Sequence, residues 1–186
     1  TDPSYAGQII NFTFPHIGNV GTNLDDNESK KPYAKGVIIN CDISDPSNYR
    51  SILHLDDWLK KNKIPGICNI DTRQITNRIR SKGAPKGRII QGPLNNKKTV
   101  SCLNALKKWN GLNGLDLAID VSRKDIKIYK SKSKSKLKIV AIDYGIKQNI
   151  LNCLLDLNLE VILVPAKTSA EKILAYDPNG IFLSNG

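Results

Sequence analysis

Residues 137–186 read LKIVAIDYGIKQNILNCLLDLNLEVILVPAKTSAEKILAYDPNGIFLSNG, and their periodicity decides the fold class. Three short apolar runs, Lys138–Ile142, Val161–Val164 and Ile181–Leu183, carry β-branched residues and suit strands covered on both faces. Between the first two, Ile146, Ile150, Cys153, Leu154 and Leu157 recur at helical spacing and predict one apolar stripe, with Asp143 placed as the helix cap. Between the second and third, Thr168 or Ser169 can cap a helix carrying Ile173 and Leu174, and Asp177-Pro178-Asn179-Gly180 turns the chain into the last strand. Strand, helix, strand, helix, strand is α/β order with a parallel sheet.

An open sheet of this kind places its ligand crevice outside the carboxyl ends of its strands. Those ends are Asp143-Tyr144-Gly145, Pro165-Ala166-Lys167 and Ser184-Asn185-Gly186. A sheet that reaches Gly186 with no covering helix after it is expected to be truncated. The opening Thr-Asp-Pro-Ser, without Met, is likewise expected to lack the native start.

The 186 residues suffice for one domain and part of another, and 40% hydrophobic content suffices for a core. No apolar run approaches the roughly 18 residues that a membrane span needs. The net charge of +11 raises nucleic-acid binding as an alternative function. However, Lys outnumbers Arg by 22 to 6, alongside abundant Asn and Ile, which is what compositional drift produces, whereas phosphate-reading surfaces recruit Arg for its planar fork. Cys41, Cys68, Cys102 and Cys153 lack paired spacing and have only His16 and His54 to join them, so no metal site is expected. Cys68 and Cys153 read as small hydrophobes and all four as reduced thiols of a cytoplasmic protein.

In the first 122 residues, strands are expected at Gln8–Phe14, Gly36–Asn40, Ile64–Ile70 and Arg88–Ile90. Gly18 and Gly21 mark a turn that either a structural or a ligand loop could need, with His16 read as structural, and 25–31 is read as an exposed loop. Helices are expected around Leu55, Trp58 and Leu59, after Asp71 with Ile75 and Ile79 inward and Gly83 at the end, and up to Trp109 with Val100, Leu103 and Leu106 on one face. Trp109 and the leucines of 111–118 are read as packed. Arg73, Arg78 and Arg80 form an anion-site candidate for which a solvated helix face is the preferred reading. Because strands and helices do not alternate strictly here, the expected class is mixed α+β. Residues 123–136, with their Lys-Ser repeat, are expected to be a basic linker.

The words PHIGNVGTN (15–23), NIDTR (69–73), GLNGLDLA (111–118), VAIDYGIKQNIL (140–151), VPAKTSAE (164–171) and NGIFLSNG (179–186) closely resemble, in family order, the glutamine-hydrolysing small subunit of carbamoyl-phosphate synthase. The resemblance implies a small-subunit-specific N-terminal domain over 1–122, the linker, and the start of a flavodoxin-like class I glutamine amidotransferase domain over 137–186. It implies a cysteine nucleophile at a strand-to-helix elbow, with a histidine as its base and a glutamate orienting the histidine, all outside this chain. It implies no cofactor in this chain, a large-subunit partner that carries ATP and a divalent metal, and no nucleic-acid or membrane partner.

By the same resemblance Ser4 and Gly186 contact the bound L-glutamine. For Ser4 a turn-forming role after Pro3 stays open locally. Asp143, Lys147 and Asn149 are read as a helix cap with exposed polar neighbours. A dinucleotide site is not expected, because no G-x-G-x-x-G follows the strand. The alternatives are another class I amidotransferase or a non-enzymatic basic nucleic-acid-binding protein.

Overall fold

The computed structural model describes residues 1–93, 95–131 and 137–185. The chain forms two compact units. One comprises Gly7–Asp26 and Ala34–Leu115; the other comprises Thr1–Ala6, Asn27–Tyr33 and Asp116–Gly186. The first six residues and a short internal segment thus cluster with the C-terminal stretch rather than with their sequence neighbours.

The first of these units holds a parallel three-stranded sheet, β1 (Ile9–Phe12), β2 (Gly36–Ile39) and β3 (Gly66–Ile67), in that order. Helix α1 (Leu55–Lys61) follows β2, and α2 (Thr72–Lys82) follows β3. The core gathers Val37, Ile39, Leu59 and Ile64, with Trp58 and Phe12 packed on its edge. Asp71 accepts from the Gln74 N–H to start α2, and Gly83, at φ 79°, ends it. Gly18, at φ 103°, sits where a Cβ would meet the Ile43 side chain at 2.5 Å and the Ser44 carbonyl at 2.7 Å, so this glycine is structural.

Three expectations fail in this unit. Arg88–Ile90 forms no strand. Helix α3 (Asn96–Lys108) forms, but its apolar face is not packed: Val100, Leu103 and Trp109 are all exposed, as is Leu115 beyond it. The long-spaced apolar pattern fixed the helix without specifying what covers it. The strand expected over Ile64–Ile70 shortens to two paired residues, because Asn69 turns to φ 59°.

In the other unit α4 (Leu117–Val121) precedes a four-stranded sheet of order β4-β6-β5-β7. Strands β5 (Lys138–Asp143), β6 (Glu160–Pro165) and β7 (Gly180–Leu183) are mutually parallel where paired; β4 (Lys127–Tyr129) runs antiparallel along β6. Strand β4 lies within the segment expected to be a solvated linker: its Ile128 and Tyr129 give it enough β character to pair with Ile162 and Val161. Residues 132–136 of that segment lie outside the described residues.

Val140, Ala141, Val161 and Val164 are fully buried at the sheet's centre. Each large apolar side chain of this kind contributes roughly 1.5–3 kcal/mol relative to exposure. Helix α5 (Gln148–Asp156) covers one face and α6 (Ala170–Leu174), capped by Ser169, puts Ile173 against the other cluster of buried residues.

The stripe on α5 matches the expected one in part. The helix starts only at Gln148, so Ile146 precedes it, yet Ile146 and Leu154 pack on the core cluster as expected, joined by Leu151 and Leu155. Cys153 and Leu157 are exposed, so Cys153 is no core residue.

Candidate functional site

The carboxyl ends of β5, β6 and β7 come together, as the parallel order requires, and each is tied to a neighbour by a side-chain hydrogen bond. Asp143 closes β5 and is 6% exposed. Its Oδ1 accepts from the N–H groups of Gly145 and Ile146, both at 2.9 Å, and its Oδ2 accepts from the Arg123 N–H at 3.0 Å. A buried carboxylate with three such donors is satisfied despite its desolvation. Asp143 therefore does not cap α5, as the sequence suggested. It fixes the turn after β5 and anchors the end of α4 to it.

Two serines extend this arrangement. Ser122, at the end of α4, accepts from the Ala166 N–H at 2.9 Å, just after β6. Ser184, buried just after β7, accepts from the Tyr144 N–H at 2.9 Å. Gly145, at φ 108°, completes the turn. A Cβ there would stand 2.8 Å from Val121 and 3.1 Å from Pro3. The turn thus admits only glycine, on grounds of both conformation and space.

The N-terminal segment crosses these strand ends. Asp2 accepts from the Ser4 N–H at 3.0 Å and begins a 3-10 turn over Pro3–Tyr5. Its carboxylate also pairs with the Lys147 ammonium at 2.7 Å, with the Asp2 side chain only 15% exposed. Burial alone would raise the Asp2 carboxyl, but Lys147 and the Ser4 bonds outweigh it and hold it below the usual carboxylate range. Lys147 is pushed up in turn by the hydrogen bond and charge of Asp2. Asn185 Nδ2 donates to Ser4 Oγ at 2.9 Å.

Of the two expected substrate contacts, Ser4 thus stands at the carboxyl end of β7, bonded to the residue before Gly186. Gly186 itself lies outside the described residues. Sequence reasoning named Asn185 only as part of a strand end, and missed the Asp2–Lys147 pair and Glu28. The signal for Lys147 was the D-x-x-x-K-x-N word, set aside as helix cap plus exposed polar residues. The structure corrects two of its members, since Asp143 is a buried turn anchor and Lys147 is paired with Asp2; Asn149 is exposed as expected, with its backbone N–H accepted by Glu28 Oε2 at 3.0 Å. Glu28 and Ser29 are half-buried and bonded to Thr1, not part of an exposed loop.

A hydroxyl, a carboxamide and an ion pair around strand ends supply hydrogen bonds and charge for a small polar ligand. Among the described residues of this unit there is no histidine to pair with Ser4. Elsewhere, Arg73, Arg78 and Arg80 are exposed along α2, as a solvated face requires. His16 packs edge-on to Phe14 at 5.9 Å. Burial, with the Asp42 charge second, pushes the Cys68 thiol up and away from reactivity. Among the described residues no helix is long and apolar enough to cross a membrane.

Residues 1–89 match the family described as carbamoyl-phosphate synthase small chain, CPSase domain, and residues 140–186 match glutamine amidotransferase class-I. The whole chain is similar to curated carbamoyl phosphate synthase small chains. It is 46% identical to that of Agrobacterium fabrum, 46% to that of Mesorhizobium japonicum and 48% to that of Bartonella henselae. All of this chain is covered in each case, against 51%, 50% and 51% of the relative. The chain spans about half the length of the curated relatives it matches.

Proposed function

We propose that the chain belongs to the carbamoyl-phosphate synthase small-chain family and is the glutamine-binding front part of a glutamine-hydrolysing subunit. On this reading residues 1–122 carry the small-chain-specific part and residues 137–186 open the amidotransferase part. The reaction is hydrolysis of the side-chain amide: glutamine and water give glutamate and ammonia. A large-chain partner, which holds ATP and its divalent metal, joins the ammonia to bicarbonate as carbamoyl phosphate, for arginine and pyrimidine synthesis in the cytoplasm. The nucleophilic cysteine, its histidine base and the orienting glutamate belong to the half of the relatives' length that this chain does not span.

The observation that supports this best is the Asn185–Ser4 hydrogen bond, made across 181 positions of sequence. It brings the serine expected to contact glutamine to the crevice that sheet topology alone marks as the ligand site. Asp143 and Ser184 hold the surrounding turn rigid, which is what precise placement of a small ligand needs.

The test is glutamate release from L-glutamine. The full-length protein is expected to hydrolyse glutamine and to lose that activity when its elbow cysteine is replaced by serine, while residues 1–186 alone are inactive. Turnover by residues 1–186, or none by the full-length protein, would contradict the proposal.

A further inference from the structure

We infer that Glu28 is a positioning residue for the glutamine pocket, holding the segment that carries Ser4 against the start of α5. The inference rests on the function proposed above and adds a residue that does not itself reach the strand ends.

Helix α5 begins without a side-chain cap of its own, since Lys147 at its N-cap position makes no capping bond. Its first donors go instead to Glu28. The backbone carbonyl of Glu28 accepts from the Gln148 N–H at 2.9 Å, and its Oε2 accepts from the Asn149 N–H at 3.0 Å. A carboxylate there is favoured by the positive end of the helix dipole as well as by the bond itself. A residue 121 positions away in sequence thus acts as this helix's cap.

The same short segment grips the chain's first residue. The Glu28 N–H donates to Thr1 Oγ1 at 2.8 Å, and Ser29 Oγ donates to the Thr1 carbonyl. The next residue, Asp2, pairs with Lys147 at 2.7 Å, directly before α5, and Ser4 accepts from Asn185 two residues further on. Thr1–Ser4 is therefore fastened to the start of α5 at two points, directly by Asp2 and indirectly through Glu28. Ser4 is only three residues from the Thr1 anchor, so a shift at Thr1 is carried into the placement of the Ser4 hydroxyl. Loss of that placement weakens ligand binding without touching the bond-breaking groups.

The experiment uses the full-length protein and measures kcat and KM for glutamine, with an unfolding midpoint for each variant. Wild-type turnover tests the proposed function on its own: if it is absent, that reading fails first. Given wild-type turnover, Glu28→Ala is expected to raise KM roughly tenfold, the loss of one charge-assisted hydrogen bond, with kcat within about twofold. Glu28→Gln keeps an acceptor for the Asn149 N–H and is expected to restore most of the affinity. Thr1→Val removes the Oγ1 acceptor at nearly constant shape. It is expected to shift KM in the same direction, and it carries the test if Glu28→Ala does not fold. An unchanged KM in the variant that folds, a fall in kcat with KM unmoved, or no rescue by Glu28→Gln overturns the inference.

Discussion

Replacing Asp143 by Asn isolates the contact that holds the turn beside the proposed site. The substitution preserves shape, and one carbonyl oxygen remains to accept from Gly145 and Ile146. The other position becomes an NH₂ facing the Arg123 N–H that Oδ2 now accepts at 3.0 Å, so one bond is replaced by two opposed donors. A hydrogen bond to a charged group contributes about 1.5–3 kcal/mol, and the surviving two also weaken as their acceptor loses its charge. Against this, the variant no longer buries a carboxylate at 6% exposure, which offsets part of the loss. The net expectation is a destabilisation of about 2 kcal/mol. At a urea slope of roughly 1–3 kcal/mol per molar, the unfolding midpoint falls by about 1 M. Urea titration of residues 1–186 followed by circular dichroism measures it. A midpoint unchanged or raised would refute the claim that the three bonds outweigh the cost of burying the charge.

Other substitutions probe the same unit. Gly145→Ala combines a φ of 108° with a Cβ placed 2.8 Å from Val121, and a loss of about 2–3 kcal/mol is expected in the same titration. Leu151→Ala empties a side chain that is 2% exposed and is expected to cost about 2–5 kcal/mol, whereas exposed Cys153→Ser stays within about 0.5 kcal/mol; equal effects would mean that the α5 stripe runs where the sequence first placed it. Asp2 has its folded-state pKa lowered. Its contribution is therefore full above the unfolded value of about 3.9 and is lost as pH falls through the lower folded value. Asp2→Asn is expected to cost about 1 kcal/mol at neutral pH and to flatten the acid limb of stability against pH, as thermal melts across that range would show.

The sheet around the site was legible because its strands are short apolar runs bounded by turn residues, and Asn179, in the expected turn, does pair with Lys138 through its backbone and side chain. The meeting of the carboxyl ends of β5, β6 and β7 followed from strand order alone. The phase of α5 was legible only in part. Asp143-Tyr144-Gly145 resembles a helix start, but the carboxylate is spent on its own turn and on Arg123, which delays the helix to Gln148 and moves Leu151 inward. Capping by Glu28 was invisible because the partner is distant in sequence and sits in a stretch whose composition reads as loop. Ser4 was singled out only through family resemblance, since a serine after proline in a turn has no local mark that separates a binding role from a turn-forming one. The exposed face of α3 shows the converse: periodicity announces a helix but does not say what covers its apolar stripe.

The most direct test of the central claim, that the Ser4 hydroxyl held at the strand ends contacts glutamine, is KM for glutamine of the full-length protein carrying Ser4→Ala. Loss of a hydrogen bond to a charged or strongly polar ligand group predicts a KM raised roughly tenfold or more. A KM equal to that of the wild type, in a variant that unfolds at the same midpoint, would contradict it.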